Sequence, residues 1–312
     1  MTATLAIRPY RPADLQTVLD LLKISLGETD LLRRTPEAFA WKHLENPFGS
    51  SIMLVAEDEE GIVGFRAFMR WELATPDGDL LHCVRAVDTA THPRAQRRGI
   101  FRRLTLEAVE AARLDDIDLI FNTPNPRSGA GYLTMGWSEV GAIGVLVRPR
   151  FMGLFGRHGD LPSVVGLSEW DDRSIIDRIP RGLRTRRTSA YFRWRFALHP
   201  TAGYRVAEVP EGTAVVRPNL RRNRRELVVS DLFGNGAGQA LRQAARATDA
   251  AYLAGWFSPG SPERRHALSA GMIPVPWVTS LTLVAQPLQK NLEWVVGDLS
   301  RWDLALSDLE LL

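Results

Sequence analysis

Apolar positions along this chain change period repeatedly, and each change marks an element. Residues 5–8 and 51–57 read as short strands, and 12–26 and 36–45 repeat at helical spacing. Thr35-Pro36-Glu37 opens the second helix with a cap residue and an N1 proline. Residues 61–73 and 80–92 form a long strand pair around the turn sequence Thr75-Pro76-Asp77-Gly78-Asp79. A helix follows from Phe101 through Val109. Then come a buried strand at 117–123, a helix at 127–135 and a strand at 138–148. Antiparallel strands with helices between them predict an α/β fold with a mixed, mostly antiparallel sheet flanked by helices.

The second half echoes the first. Thr35, Phe39, Trp41, Lys42 and Pro47 correspond to Thr188, Phe192, Trp194, Arg195 and Pro200 at one constant offset of 153 residues. Pro124, Leu133, Thr134 and Gly136 correspond to Pro259, Leu268, Ser269 and Gly271 at an offset of 135. Two blocks in the same order imply a tandem repeat whose second copy is shorter in the middle. The predicted division is a first domain at 1–148, a connection with the second half's first helix at 149–185, and a second domain at 186–312. Trp41 and Trp194 stand at equivalent positions, which predicts core packing.

Composition narrows the class. The chain has 312 residues, 45% hydrophobic and 24% charged, the balance of a soluble globular protein. No apolar run reaches the ~20 residues of a membrane span, and the start lacks a signal-peptide layout. One cysteine excludes an internal disulfide and suits a reducing, cytoplasmic setting. Cys83 itself reads as a buried, inert thiol. Charge is uneven: residues 1–147 carry 16 Lys/Arg against 20 Asp/Glu, and residues 148–312 carry 23 against 16. The arginine clusters at Arg181, Arg184, Arg186, Arg187 and at Arg217, Arg221, Arg222, Arg224, Arg225 read as a solvated linker and hairpin, so no nucleic acid is expected. No His or Cys spacing matches a metal site.

The chemically informative stretch is His92-Pro93-Arg94-Ala95-Gln96-Arg97-Arg98-Gly99-Ile100-Phe101, between a strand and a helix. A turn feeding a helix N-terminus presents unpaired N–H groups and the positive end of the dipole, a site for phosphate or pyrophosphate. Gln96-Arg97-Arg98-Gly99-Ile100-Phe101 resembles the pyrophosphate loop of the GNAT superfamily of acyl-CoA-dependent acyltransferases, with Phe101 replacing a final small residue. Asn125, Tyr132, Gly136 and Trp137 stand at the spacings of a second motif of that family. The resemblance covers roughly residues 5 to 148. It implies two tandem GNAT-like halves, the second degenerate: its loop, Asp231 to Gly238, lacks the Gln or Arg lead, and Ala267 replaces the tyrosine.

By this resemblance the fourth and fifth strands splay to admit the pantetheine arm. Asp88, Thr89, Ala90 and Thr91 then face the arm. The turn from Gln96 and Arg97 through Arg98, Gly99, Ile100 and Phe101 holds the pyrophosphate, helped by Arg94 or Arg98. Tyr132 protonates the departing thiolate, and Asn125 orients pantetheine or caps the following helix. The general base is Asp88, Glu28 or a water chain. His92 reads as structural, and His43 as packing or surface. Arg127 and Ser128 touch the adenine end of CoA or are merely solvated. The resemblance implies an N-acyltransferase moving an acyl group, most simply acetyl, from acetyl-CoA to an amine acceptor, without a metal. The alternatives are a non-catalytic acyl-CoA-binding scaffold and an aminoacyl transferase using aminoacyl-tRNA.

Overall fold

The long strand pair around the Thr75–Asp79 turn supplies two adjacent strands of the first of two sheets. The computed structural model describes residues 5–29, 31, 33–149, 178–275 and 281–309. In chain order the first elements are β1 (Ala6–Pro9), α1 (Leu15–Leu26), α2 (Pro36–His43), β2 (Ile52–Asp58), β3 (Gly61–Ala74) and β4 (Leu80–Thr91). They are followed by α3 (Ile100–Leu114), β5 (Leu119–Asn122), α4 (Gly129–Leu133) and β6 (Ser138–Ile143). Thr35 caps α2 by accepting the Ala38 N–H at 3.2 Å. Helix α3 buries Ile100, Leu104, Ala108 and Ala112, one face at a four-residue spacing, against the sheet.

The rest of the chain forms β7 (Leu146–Pro149), β8 (Arg184–Thr185), α5 (Ser189–Phe192), β9 (Arg205–Val209), β10 (Gly212–Arg221) and β11 (Arg224–Phe233). Next come α6 (Ala237–Arg246), β12 (Tyr252–Gly255), α7 (Pro262–Ser269), β13 (Ile273–Pro274), β14 (Leu281–Pro287) and α8 (Leu306–Leu309). Thr188 caps α5 by accepting the Tyr191 N–H at 3.1 Å, repeating the Thr35 cap. Trp41 and Trp194 are both buried, as core packing requires.

Two sheets result. The first runs β1-β2-β3-β4-β5-β14-β6, and the second runs β13-β7-β12-β11-β10-β9. In the first, β1/β2, β2/β3 and β5/β14 pair antiparallel, while β4/β5 is parallel. The second repeats this plan, with β9/β10/β11 antiparallel, β11/β12 parallel and β7/β12 antiparallel. The fold is thus mixed α/β in two halves.

A division at residue 148 needs correcting. The run expected as one strand at 138–148 breaks into β6 and β7, which join different sheets. The strand β14, late in the sequence, lies between β5 and β6. The compact units are accordingly Met1–Leu73, Leu80–Val140 and Leu283–Gly297 for the first, and Ala74–Asp79, Gly141–Thr282 and Asp298–Leu312 for the second. The physical reason is pairing: each sheet completes its edge beyond the parallel strand with a segment from the other half of the sequence. The expected connection at 149–185 falls largely outside the described residues.

Candidate active site

The parallel register of β4 and β5 runs from Cys83/Leu119 to Arg85/Phe121. Beyond it β4 continues to Thr91 while β5 ends at Asn122. Asp88 sits in this stretch with φ of +43°, a left-handed residue inside a strand. The strands part here, and a cavity of about 450 Å³ opens, lined by Asp88, Thr89, Asn122, Asn125, Phe101 and Tyr132 among others. A second cavity of about 390 Å³ shares Leu26, Thr89, Thr91 and Phe101 with it and reaches Gln96, Arg97, Gly99 and Arg102. Together they make one cleft leading from the parted strands to the start of α3.

The loop at that helix start is shaped by two left-handed residues, Arg97 at φ +64° and Gly99 at φ +73°. A Cβ on Gly99 would meet nothing within 4 Å, so backbone conformation, not space, calls for glycine there. The Arg103 N–H bonds the Gly99 carbonyl at 3.0 Å. The N–H groups ahead of it are the open donors of a helix start, in an electropositive setting suited to a phosphate group.

Arg94 and Arg98 are placed differently from the sequence reading. Neither is among the cleft-lining residues. Arg94 grips Asp58 with both terminal nitrogens at 3.0 and 2.9 Å, and Arg98 adds a third contact at 3.1 Å. The Arg94 hydrogen bonds, with those of Arg98, hold the Asp58 carboxyl down at about 2. The two arginines brace the loop against the end of β2; Arg97 and Arg102 line the cleft at the helix start, and Arg127 lines its other part. His92 has the structural role expected of it: its Nδ1 accepts the Arg94 N–H at 3.3 Å.

Phe101, the departure from the family pattern, lies edge-on to Tyr132 with ring centroids 5.5 Å apart. Its ring packs toward α4 and the core cluster of that helix, and it also lines both parts of the cleft. Gly131 makes room for it: a Cβ there would lie 2.9 Å from Phe101 Cε1. Tyr132 is buried, held between Phe101 and Trp137, the latter at 5.1 Å. Its phenol oxygen accepts a hydrogen bond from Arg66 Nη1 at 2.7 Å.

Asn125 closes the turn ahead of α4. Its Oδ1 accepts the N–H groups of Arg127 and Ser128 at 2.9 and 3.0 Å, which secures the turn into α4. Asn122, which sequence spacing did not single out, lines the cavity with a buried Oδ1 that has no hydrogen-bond partner among the described residues. Its signal was its place at the C-terminal end of an apolar strand. Arg66 was also missed, although a lone arginine inside Val63-Gly64-Phe65-Arg66-Ala67-Phe68-Met69 marks a buried charge.

Asp88 is an ion-pair hub. Its carboxylate meets Arg34 at 2.9 Å, Lys42 at 2.9 Å and His43 Nε2 at 3.0 Å, all nearly buried. Burial by itself would raise its proton affinity, but Lys42, His43 and Arg34 together pull the carboxyl well below the usual range. A general base needs an affinity near the working pH, so this carboxylate is poorly suited to accept a proton. Burial lowers both Lys42 and His43, outweighing the pull of Asp88. His43 is therefore a buried neutral link between Asp88 and Ser51, whose Oγ lies 3.0 Å from Nδ1. Glu28 accepts the Arg34 N–H at 2.7 Å and does not line the cleft.

The repeat explains the hub. The 153-residue offset extends one position upstream, from Arg34 to Arg187. Arg187 pairs with the fully buried Asp231 at 2.9 Å, and Asp231 lies on β11 as Asp88 lies on β4. Each half thus ties the start of its capped helix to the strand before its loop with a buried Arg–Asp pair. The pair recurs where the tyrosine and the basic loop do not, so its role is architectural. Arg184 and Arg187, expected in a solvated linker, are in fact buried and ion-paired with Glu263 and with Asp231 and Asp308.

The second loop has other company. The Gly236 N–H donates to the Glu211 carbonyl at 2.9 Å. A Cβ on Gly212 would fall 2.1 Å from the Gly236 carbonyl carbon. The β9–β10 turn therefore lies directly on the loop that corresponds to Gln96–Phe101 of the first half. A cavity of about 690 Å³ beside it is lined by Arg178 and Glu263, which pair with each other at 2.7 Å. Cys83 is buried, and burial pushes its thiol up. Among the described residues no His, Cys, Asp or Glu cluster is placed to hold a metal, and no helix is long and apolar enough to cross a membrane.

Residues 6–140 match the model of the acetyltransferase (GNAT) domain family. No curated protein matches the sequence. Among solved structures, a GCN5-related N-acetyltransferase from Anabaena variabilis is 13% identical, covers 92% of this chain and 73% of its own, and superposes with a TM-score of 0.63. Eis1 from Mycobacterium abscessus is 15% identical over 91% of this chain and 74% of its own, at a TM-score of 0.60. A tandem GNAT protein from the clavulanic acid biosynthesis pathway is 14% identical over 91% of this chain and 98% of its own, at 0.52. At such identities these neighbours speak for the fold, and the family match speaks for acyl transfer from acyl-CoA as the domain's general chemistry. Residues 6–140 thus carry the match to the GNAT acetyltransferase domain, and the chain as a whole shares the fold of a tandem GNAT protein.

Proposed function

We propose that the protein is an N-acyltransferase that moves an acyl group, most simply acetyl, from acetyl-CoA to an amine acceptor by direct attack on the thioester. The observation that carries this reading is the continuous cleft joining Tyr132 to the open helix start at Gly99. Pyrophosphate would meet the N–H groups of the turn, with Arg97 and Arg102 supplying charge. The pantetheine arm would run between the parted strands past Thr89, Ala90, Thr91 and Asn122.

The amine lone pair attacks the thioester carbonyl carbon. Collapse of the tetrahedral adduct breaks the C–S bond, and the electron pair leaves on sulfur. Tyr132 gives its proton to that thiolate, releasing CoA as the thiol, and is reprotonated from water. The proton lost by the amine passes to water, because Asp88 is held ionised by three partners. Calorimetric titration with acetyl-CoA, with Tyr132→Phe alongside, tests the reading. It predicts one site per chain, binding retained in Tyr132→Phe, and CoA release with an amine panel lost in that variant. Absence of binding to acetyl-CoA and CoA refutes it.

A further inference from the structure

Arg66 lies in mid-β3 and has no exposed surface. No carboxylate pairs with it among the described residues. Its Nη1 donates to the Tyr132 hydroxyl oxygen at 2.7 Å and to the Thr89 hydroxyl oxygen. The guanidinium carbon lies 4.8 Å over the Phe68 ring and 5.3 Å from the centre of the Tyr132 ring. Among the described residues, Nε and Nη2 have no hydrogen-bond partner. Burying a cation without a counter-ion is costly. A position that needed only volume would take Met or Leu, so the charge calls for a functional reason.

The chemistry of the groups supplies it. A guanidinium only donates. Two hydroxyl oxygens that both accept from Arg66 must direct their own protons elsewhere. Tyr132 and Thr89 both line the cleft, which is the open side left to them. We propose that Arg66 is the positioning residue for proton delivery: it turns the Tyr132 and Thr89 hydroxyls into donors facing the cleft, and it holds the phenolate left when Tyr132 has given up its proton. The inference rests on Tyr132 as the proton donor. As the C–S bond breaks, its electron pair goes to sulfur, the Tyr132 proton follows, and the phenolate stands 2.7 Å from the guanidinium until water reprotonates it. A carboxylate beside Arg66 would cancel this field and claim its hydrogen bonds.

The test compares Arg66→Gln, Arg66→Lys, Tyr132→Phe and the double variant Arg66→Gln/Tyr132→Phe in the full chain, with CoA release read by thiol reagent. The acceptor is whichever of an amino sugar, a polyamine or a lysine peptide turns over in the unaltered protein. Arg66→Gln should lower kcat by about 10²-fold, the low end of what a positioned acid contributes, and leave KM for acetyl-CoA unchanged. Arg66→Lys should regain part of that loss, since an ammonium keeps the charge and reaches one hydroxyl. The double variant should be no slower than Tyr132→Phe alone. With para-nitrophenyl acetate, whose leaving group needs no proton, Arg66→Gln should match the unaltered protein.

An equal loss with both donors, or an additional loss in the double variant, assigns Arg66 to structure alone and overturns the inference. Loss in Tyr132→Phe with full activity in Arg66→Gln overturns this inference only. Full activity in Tyr132→Phe overturns the acid assignment and this inference with it. If Arg66→Gln fails to fold, the decision passes to Arg66→Lys. A loss there that persists with para-nitrophenyl acetate has the same adverse meaning.

Discussion

Substituting Gly131 with alanine tests whether the departure at Phe101 is accommodated as the structure describes. The added Cβ would lie 2.9 Å from Phe101 Cε1, with Cδ1 and Cζ at 3.7 and 3.8 Å. Carbon atoms in contact prefer ~3.5–4.0 Å, so the ring edge must move by roughly 0.5–1 Å. Overpacking of this kind costs about 1–3 kcal/mol. The same change gains up to about 1 kcal/mol of helix propensity within α4. The net expectation is a destabilisation of about 0–2 kcal/mol. The larger consequence is for binding, because Phe101 lines both parts of the cleft and its ring can give way into that open space. Acetyl-CoA affinity should therefore fall more than stability does.

Phe101→Leu removes the clashing ring carbon. The double variant Gly131→Ala/Phe101→Leu should bind better than Gly131→Ala alone, with a coupling of about 0.5–3 kcal/mol typical of residues in contact. Urea unfolding followed by tryptophan fluorescence and calorimetric titration with acetyl-CoA provide the two readouts. Unchanged binding in Gly131→Ala, or strict additivity in the double variant, would refute the reasoning.

Three further outcomes follow from the charges and the loops. Arg97→Glu should weaken acetyl-CoA binding by about tenfold or more, which is ~1.4 kcal/mol, whereas Arg94→Ala, which removes a brace to Asp58, should cost less; titration that ranks them the other way contradicts the placement. Arg187→Met leaves Asp231 and Asp308 buried without their cation and should lower unfolding free energy by about 3–5 kcal/mol, measured by urea denaturation, with a loss below ~1 kcal/mol counting against the buried pair as a staple. Stability should fall as pH drops below ~6.5, the ordinary histidine value: burial lowers the folded His43, so the unfolded chain binds the extra proton first, and His43→Asn should flatten that part of the profile in thermal unfolding. Asp88 acts at lower pH: its depressed folded value adds stability present above ~4 that is lost as pH falls toward it.

Much of the first half was legible in the chain because its signals are local. Periodicity marked β3 and β4, the Thr35-Pro36 cap marked α2, and the residues through Gly99 marked the turn into α3, since each of these signals is carried by residues close together in the chain. The tandem repeat was legible as well, because two copies of one packing scheme keep Trp41 and Trp194 at a constant spacing. Charge partners were not legible. Arg94 and Arg98 turn to Asp58, some 36 and 40 positions away, and nothing in the loop's own sequence announces that carboxylate. Asp88 gathers Lys42 and His43 from α2 and Arg34 from the segment before it, which turns a candidate base into a staple. Arg66 meets Tyr132 across 66 positions.

Strand pairing had the same character. An apolar run such as 138–148 declares itself a strand, but which sheet takes each part is decided by open edges elsewhere in the chain. Local physics made the elements and the loop of this protein readable from residue order. The proton affinities, the cleft that joins Tyr132 to Gly99 and the sheet membership of β7 and β14 were decided by tertiary structure, because each depends on groups that only the fold brings together.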